Sequence, residues 1–279
     1  MKKITRRSFL AAAGLTAAAL ALTACGGSSS STASSTARSS AASSEAVSSA
    51  AAAELTTVEA GKLTMATNAT FPPYEMTTDS GEIEGIDVDT AKAIAEKLGL
   101  ELQIDDMDFD AALLSVQQGK ADIVMAGVTV TDERKAVMDF SDSYATGIQS
   151  IIVPNDSDIA SPDDLAGKKI GTQRGTTGYI YCSDDFGDEN VVAYDDGLTA
   201  VQALNNGQVD AVVIDNAPAK EFVAANPGLV ILDTSYAEED YAIGMAKGSA
   251  LEDAINATLE ELKADGTLQS IVDKYITAE

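Results

Sequence analysis

Hydrophobic positions after residue 54 alternate between two spacings along the chain. Short apolar runs, of which residues 62–66 are the first, predict β-strands. Between them lie stretches with the period of a helix, as in the apolar series Ala91, Ile94, Ala95 and Leu98 that ends at Gly99. The same alternation predicts further elements, namely strands at 100–104, 121–126 and 170–173, a helix at 110–118, and a short helix after Ser161. This order of elements indicates an α/β protein.

One segment of the chain has an internal echo. Residues 111–126 and 199–214 share a helix, a glycine stop, an Asp and an apolar strand, with Gly119 matching Gly207 and Asp122 matching Asp210 at an offset of 88. Any helix-to-strand joint can look like this, but a second pair of segments, 63–70 and 170–177, also matches as strands that run into Thr-bearing loops. The echoes favour two similar α/β lobes.

The C-terminal part of the chain predicts how these lobes connect. Two apolar stripes interrupted by Gly266 predict two helices after residue 242, which we expect to cover the first lobe. The chain would then cross between the lobes twice, near 149–153 and near 232–241. Two crossings form a hinge, and ligands of such sheets bind beyond the carboxyl ends of the strands. We therefore expect a cleft lined by the residues around Gly127 and Asp215.

The first 54 residues have a different composition. Residues 1–25 combine a basic start with a short apolar run, as in a secretory signal peptide. The end of this run, residues 22–26, resembles a bacterial lipobox, in which Cys25 would become the lipidated N-terminus. Residues 26–54 are rich in Ser and Ala and predict a flexible tether. The predicted organisation is thus signal peptide (1–25), tether (26–54), first lobe (55–150), second lobe (151–236) and the rest of the first lobe (237–279).

Composition excludes several classes of function. The chain has no His and only two Cys, so it lacks the residues for a His-dependent nucleophile relay, a His-ligated metal or a four-thiolate zinc site. We expect no metal and no cofactor, and we expect Cys182 to be a buried thiol without chemistry. From Cys25 onward there are 14 basic and 44 acidic residues, a formal balance of −30, which disfavours nucleic acid as a partner.

The segment after the strand at 121–126 has candidate binding chemistry. Gly127 allows a close approach to the backbone, Thr129 offers a hydroxyl and a free N–H, and Arg134 has the planar fork that suits a carboxylate. Because Asp132 and Glu133 precede it, Arg134 could equally form an ordinary surface ion pair. The spacing leaves both interpretations open.

Residues 126–144, with the sequence AGVTVTDERKAVMDFSDSY, resemble the signature of solute-binding protein family 3, the polar amino-acid receptors of ABC importers. The resemblance covers roughly residues 60–277 and includes NATFPPYEM (68–76), GEIEGIDVDTAKAIAEKLG (81–99), GTTG (175–178) and VDAVVIDNAPA (209–219). It implies a two-lobed periplasmic-binding-protein-like fold of type II, with two hinge crossings and a ligand cleft between the lobes. It also implies a lipid-anchored, extracytoplasmic monomer that binds an L-amino acid and delivers it to an ABC permease and its ATPase.

The family pattern assigns roles to residues of this sequence. It implies that Arg134 holds the ligand α-carboxylate, with the Thr129 hydroxyl and the Thr177 backbone N–H, and that Thr176 joins these on closure. Asp215, with the Gly127 carbonyl and Thr129, would bind the α-ammonium group. Phe71 and Phe109 would sandwich the side chain, although both could simply be core residues, and Asp215 could merely cap a helix.

Several alternatives remain at the level of the sequence. Asn68 and Gln173 predict an uncharged, hydrogen-bonding pocket wall, which favours a polar neutral side chain, but Glu75 or Asp108 could supply a charge for a cationic one. An enzyme on the same scaffold, similar to the dehydratases among the relatives, would need Glu75 or Tyr74 as its acid–base group, and the sequence marks neither. A sensor that presents its ligand to a membrane kinase would have the same cleft.

Overall fold

The computed structural model of this chain describes residues 55–276, which belong to one compact unit. The predicted signal peptide (1–25), its lipobox Cys25 and the predicted tether (26–54) lie outside the described residues. Among residues 55–276, no helix is both long enough and apolar enough to cross a membrane.

The chain alternates between strands and helices throughout the described part. The strands are β1 (Lys62–Thr67), β2 (Thr70–Phe71), β3 (Glu75–Thr77), β4 (Ile83–Glu84), β5 (Glu101–Asp106), β6 (Ile123–Val124), β7 (Met138–Phe140), β8 (Ala145–Pro154), β9 (Ile170–Gln173), β10 (Val191–Tyr194), β11 (Ala211–Asp215), β12 (Leu229–Ile231), β13 (Ala237–Tyr241) and β14 (Gly244–Ala246). The helices are α1 (Ile86–Leu98), α2 (Phe109–Gln117), α3 (Asp132–Val137), α4 (Thr177–Phe186), α5 (Gly197–Asn205), α6 (Asn216–Ala225), α7 (Glu252–Ala264) and α8 (Thr267–Tyr275). Two 3₁₀ helices, Pro162–Leu165 and Asp188–Asn190, complete the set.

Two main sheets define the two lobes. The first has the order β5-β1-β6-β14-β7, in which β1 runs parallel to β5 and β6 while β14 runs antiparallel to β6 and β7. The second has the order β10-β9-β11-β8-β12, with β13 also paired to β8. A small sheet of β2, β3 and β4 accompanies the first lobe. This confirms the predicted α/β, two-lobed fold.

The same local arrangement connects a helix to the following strand in both lobes. Gly119 follows α2 with φ +65°, and Gly207 follows α5 with φ +66°, a conformation that glycine adopts without steric cost. Asp122 and Asp210 then precede β6 and β11 and accept backbone N–H groups, from Thr64 at 2.8 Å and from Lys169 at 2.7 Å respectively. The predicted internal echo is therefore confirmed.

The chain passes between the sheets next to a two-stranded ladder. The first half of β8 pairs antiparallel with β13, from Ala145 opposite Tyr241 to Gln149 opposite Ala237. Because β7 and β14 belong to the first sheet, the two crossings lie beside this ladder. The predicted lobe divisions at 150 and 236 fall within β8 and next to β13, and they stay predictions.

The last two helices cover the first lobe, as predicted. α7 and α8 pack against α1, with Leu251, Ile255 and Leu259 in the shared hydrophobic core. Lys97 of α1 forms an ion pair with Glu261 of α7 at 3.0 Å, and the Tyr275 hydroxyl of α8 donates to Asp89 at 2.9 Å. The C-terminal segment thus completes a lobe that begins some 200 residues earlier in the chain.

Most predicted elements agree with the observed ones. Residues 170–173 form β9 as predicted, whereas the strand predicted at 121–126 is reduced to Ile123–Val124. Bonds to β1 nevertheless flank this short strand, since the Asp122 N–H donates to the Thr64 carbonyl and the Met125 N–H to the Ala66 carbonyl. Cys182 is fully buried, as predicted, and burial raises the pKa of its thiol to about 12.

Candidate ligand-binding site

A cavity lies between the lobes, lined by side chains from both of them. Its walls contain every residue that the sequence analysis selected for ligand binding, namely Asn68, Phe71, Phe109, Gly127, Thr129, Arg134, Gln173, Thr176, Thr177 and Asp215. The other wall residues are Glu75, Ala126, Gln149, Val213 and Ile214. The structure therefore brings together residues from both lobes, and their roles toward a ligand stay predictions.

Arg134 is a buried cation without a counterion. Thr131 caps α3 by accepting the Arg134 N–H, and this places the guanidinium at the cavity. Nη1 donates to the Thr129 carbonyl at 2.8 Å, Nη2 donates to the Gly175 carbonyl at 3.2 Å, and the group lies 5.3 Å from the Phe109 ring centroid. No carboxylate of residues 55–276 lies within 4.0 Å of it. Burial lowers the pKa of Arg134, and the site calls for an anion to pair with it.

Two backbone N–H groups add to this anion site. The neighbours of Thr129 bond to β13 and to the residue that follows it, since the Val130 N–H donates to the Asp240 carbonyl and the Ala242 N–H donates to the Val128 carbonyl. Thr129 itself is in a non-hydrogen-bonded position, so its N–H points away from that strand. Within the described residues, neither this N–H nor that of Thr177, at the start of α4, makes a hydrogen bond. A helix N-terminus and a free strand N–H both favour a carboxylate.

Asp215 is the opposite case, a buried anion without a cation. Its Oδ2 accepts from Gln149 Nε2 at 2.6 Å, and its Oδ1 has no hydrogen-bond partner among residues 55–276. Burial, helped by the negative Glu239, raises the pKa of Asp215 to about 7, although Tyr241 and Gln149 oppose the rise. Asp215 occupies the N-cap position of α6, but its side chain makes no capping bond. Its carboxylate is therefore free to bind a cation rather than committed to the helix.

Gly127 exposes its backbone at the wall of the cavity. Its φ is +55°, and a Cβ at this position would lie 2.9 Å from Phe71 Cε1. Its N–H donates to Asp87 at 2.9 Å, while its carbonyl accepts no hydrogen bond from residues 55–276. Only glycine combines this conformation with this close approach. The carbonyl remains available to a donor on a ligand.

The two phenylalanines are core residues that also line the cavity, and their sandwiching of a ligand side chain stays a prediction. Phe71 stacks on Tyr74 at 5.9 Å between ring centroids, and Phe109 supports the Arg134 guanidinium. Each also belongs to a hydrophobic core cluster, and each forms part of the cavity wall. Core packing therefore fixes the rings that a ligand would meet.

An amide pair closes the cavity between the lobes. Gln173 Nε2 donates to Asn68 Oδ1 at 2.8 Å, and Asn68 Nδ2 donates to the Met107 carbonyl at 3.0 Å. Thr176 lies next to this pair and caps α4 through the Tyr179 N–H. These bonds fix the orientation of both amides in the closed arrangement of the lobes.

Glu239 is a buried site residue that sequence reasoning missed. Its Oε2 accepts from Thr129 Oγ1 at 3.1 Å, from Thr177 Oγ1 at 3.0 Å and from Gln149 Nε2 at 3.0 Å. It thereby orients one threonine from each lobe. The signal available was the two-residue period of β13, which places Glu239 on the same buried face as Tyr241.

The cavity wall also contains the acidic side chain of Glu75, which has no hydrogen-bond donor among the described residues. It is fully buried on β3, and neither of its oxygens accepts a hydrogen bond from a donor in the described residues. Burial, and then the adjacent Asp87, raise the pKa of Glu75 well above its ordinary value. In residues 55–276, no group of three or more His, Cys, Asp or Glu side chains is arranged to hold a metal ion.

A two-lobed protein with a closed cavity between the lobes, an unpaired cation and an unpaired anion is a small-molecule binding protein. The model of the bacterial extracellular solute-binding proteins, family 3, matches residues 63–278. The chain belongs to this family, and the resemblance found in the sequence is confirmed.

Individual relatives agree with this assignment. The L-cystine-binding protein TcyJ of Escherichia coli (strain K12) is 32% identical over 225 residues, which cover 79% of this chain and 85% of TcyJ. The arginine-binding extracellular protein ArtP of Bacillus subtilis (strain 168) is 34% identical over 228 residues, which cover 78% and 87%. An ancestral arginine-binding protein, solved bound to arginine, is 43% identical with a TM-score of 0.74, and the match covers 77% of this chain and 98% of that one. The family and these relatives are binding proteins.

Proposed function

We propose that this protein is the substrate-binding component of an ABC importer and that its ligand is an L-amino acid with a cationic side chain, arginine first. The observation that carries the proposal is the pairing of unsatisfied charges, Arg134 and Asp215, across one cavity. A zwitterion would neutralise both, because each buried charge needs a partner once it is desolvated. Amino-acid-binding relatives support this assignment.

The roles of the individual residues follow from their free atoms. Arg134 and the N–H groups of Thr129 and Thr177 bind the α-carboxylate, and Asp215 with the Gly127 carbonyl binds the α-ammonium group. The Thr129 hydroxyl is engaged with Glu239 in the closed lobes, so it serves the ligand as an acceptor.

Glu75 determines which ligand side chain the protein prefers. Once Arg134 and Asp215 are assigned to the α-groups of the ligand, Glu75 is the remaining ionisable residue of the wall. Neither of its oxygens accepts a hydrogen bond from the described residues. A guanidinium group offers several N–H donors and a positive charge, which suit a buried carboxylate. The amide pair of Asn68 and Gln173 accommodates polar groups beside it, and the arginine-binding names of two relatives point in the same direction.

Calorimetric titration of the purified protein, refolded to remove bound amino acid, tests the proposal. We expect arginine to bind at least tenfold more tightly than glutamine, citrulline or cystine. Tighter binding of a neutral amino acid would contradict the role of Glu75 while leaving the receptor assignment intact. Failure of every amino acid to bind would contradict the receptor assignment itself.

The protein binds its ligand without chemical conversion. Glu75, with its raised pKa, is the acid–base group that the enzyme alternative requires, so the distinction needs an experiment. Mass spectrometry of the ligand after prolonged incubation with the protein should recover it unchanged. A new product that depends on Glu75 would favour an enzyme instead.

The protein is a lipid-anchored monomer outside the cytoplasm, held through Cys25. Metabolic labelling with a fatty acid should mark the wild-type protein, and Cys25→Ser should lose both the label and the membrane fraction. Light scattering of the detergent-solubilised protein should give one chain per particle. Unchanged labelling of Cys25→Ser would contradict the anchor.

A further inference from the structure

Glu75 and Asp87 form a pair of buried carboxyl groups beside the cavity. Both are fully buried, Glu75 at the start of β3 and Asp87 in the first turn of α1. Only Glu75 lines the cavity, and both of its oxygens lack a donor among residues 55–276. An ionised carboxylate is an acceptor only, so burying it without donors is strongly unfavourable.

Asp87, in contrast, has its acceptors occupied. Its Oδ2 accepts the Gly127 N–H at 2.9 Å and its Oδ1 accepts the Tyr144 hydroxyl at 2.7 Å. The backbone brings Glu75 next to Asp87, because the Asp87 N–H donates at 2.9 Å to the carbonyl of Tyr74, the residue before Glu75. A hydrogen bond between two carboxyl groups requires one proton, which the donor-free Glu75 is placed to carry.

Protein cations do not neutralise this pair in the described part of the chain. The other titratable groups around the pair are acids and phenols, namely Asp106, Tyr74 and Tyr144. Arg134 is the one basic residue of the cavity wall in the described chain, and the proposed function assigns it to the α-carboxylate. A positive charge for Glu75 must therefore come either from a proton or from the ligand.

We propose that Glu75 and Asp87 share one proton in the ligand-free protein, that a cationic ligand side chain displaces this proton, and that a neutral side chain of similar shape binds with the proton retained. This proposal rests on the proposed function. In the exchange, the O–H bond of Glu75 breaks, its proton passes to the solvent, and the already protonated guanidinium takes its place. The cavity thus keeps the same net charge with either class of ligand.

The direction of the pH dependence follows from this exchange. Burial, and then Asp87, raise the pKa of Glu75, and burial raises the pKa of Asp87 to about 6 against its hydrogen bonds from Gly127, Tyr144 and Glu75. Below the pKa of Glu75, arginine affinity should rise by up to about tenfold per pH unit, since one proton is released, and it should level off above that pKa. Asp215 also loses its proton to the solvent when the α-ammonium group of the ligand pairs with it, but this happens for every amino acid.

Arginine and citrulline separate the two contributions, because they share the α-groups and differ in the charge at the end of the side chain. Titration of the full-length protein at pH 6, in buffers of different ionisation enthalpy, counts the protons released by each ligand. We expect arginine to release close to one proton more than citrulline. Arginine binding with an equal proton count would overturn the proposal alone, whereas absence of arginine binding would overturn the proposed function with it.

Variants of the pair sharpen the test. Glu75→Gln mimics the protonated state, so arginine affinity should fall about tenfold or more relative to citrulline affinity, and the difference in proton release should disappear. Glu96→Gln removes the same charge from the exposed face of α1 and should change neither quantity. A loss of arginine and citrulline binding by the same factor in Glu75→Gln would assign Glu75 a purely structural role.

Asp87 acts through Glu75 as a positioning residue. In Asp87→Asn the neighbouring negative charge is gone, so the pKa of Glu75 should fall and arginine should release fewer protons at pH 6 than in the wild type, with its binding retained. Unchanged proton release in this variant would overturn the shared proton, and the wild-type calorimetry decides the question if either variant fails to fold.

Discussion

The two lobes repeat one helix-to-strand joint and then present opposite charges to the same cavity. In the first lobe, α2, Gly119, Asp122 and β6 lead through Gly127 to α3, which carries Arg134. In the second lobe, α5, Gly207, Asp210 and β11 lead directly to Asp215. The helix-to-strand joint is the same in both lobes, but the residues at the carboxyl ends of the two strands differ. A zwitterion site arises because closure brings the two different strand ends together.

The largest expected effect comes from removing either unpaired charge. Arg134→Ala and Asp215→Ala should each weaken arginine binding by about 2–5 kcal/mol, because each leaves one charge of the ligand buried without its partner. Lys135→Ala on the same helix and Glu221→Ala on α6 are exposed controls that should bind as the wild type. Calorimetry measures all four. Wild-type affinity in Asp215→Ala would contradict its assignment to the α-ammonium group.

The charge of Asp215 should also destabilise the ligand-free protein. Since burial raises its pKa to about 7, the folded protein keeps a proton between pH 4 and 7 that the unfolded chain releases. The free energy of unfolding therefore falls as pH rises through this window. At pH 8, ligand-free Asp215→Asn should be more stable than the wild type by on the order of 1–3 kcal/mol, as opening of the cleft rehydrates the carboxylate in part. Urea unfolding at pH 4 and pH 8 measures this, and equal stability at pH 8 would contradict it.

The matched aspartates of the joints should differ in their effect on stability. Asp122 is buried and accepts N–H groups from Val58 and Thr64, whereas the exposed Asp210 accepts one from Lys169. We expect Asp122→Ala to lower the free energy of unfolding by about 2–3 kcal/mol and Asp210→Ala by about 1 kcal/mol, since buried donors left unpaired cost more. Urea unfolding compares the two. A larger loss of stability in Asp210→Ala than in Asp122→Ala would contradict this expectation.

The matched glycines should give small effects that are equal in the two lobes. Gly119 and Gly207 have nearly the same positive φ, and a Cβ at either position would meet no atom of the described residues within 4 Å. Gly119→Ala and Gly207→Ala should therefore each lower the free energy of unfolding by about 1–2 kcal/mol through backbone strain alone. Gly127→Ala is the contrasting variant, because its Cβ also meets Phe71 and should weaken arginine binding. Unequal losses at Gly119 and Gly207 would break the equivalence of the two lobes.

Much of the fold could be predicted because its signals are local. The apolar period of α1, the glycine stops at Gly99, Gly119 and Gly207, and the paired aspartates act within a few residues of their own positions. The residues of the site could be selected because the family motifs mark them along the chain. Glu239 escaped this reasoning, since it lies in an acidic run and only the pairing of β13 with β8 turns it toward the threonines.

By itself, the sequence determined the α/β order, the repeated joint of the two lobes and the residues that line the cavity, because periodicity, turn chemistry and motif spacing are properties of short segments. Only the tertiary structure decided which charges remain unpaired. Whether Asp215 caps a helix or faces a ligand, and whether Glu75 meets a donor or another carboxyl group, depends on what residues distant in the chain supply. Burial is set by the packing of both lobes, and it is burial that turns ordinary acidic and basic residues into a binding site.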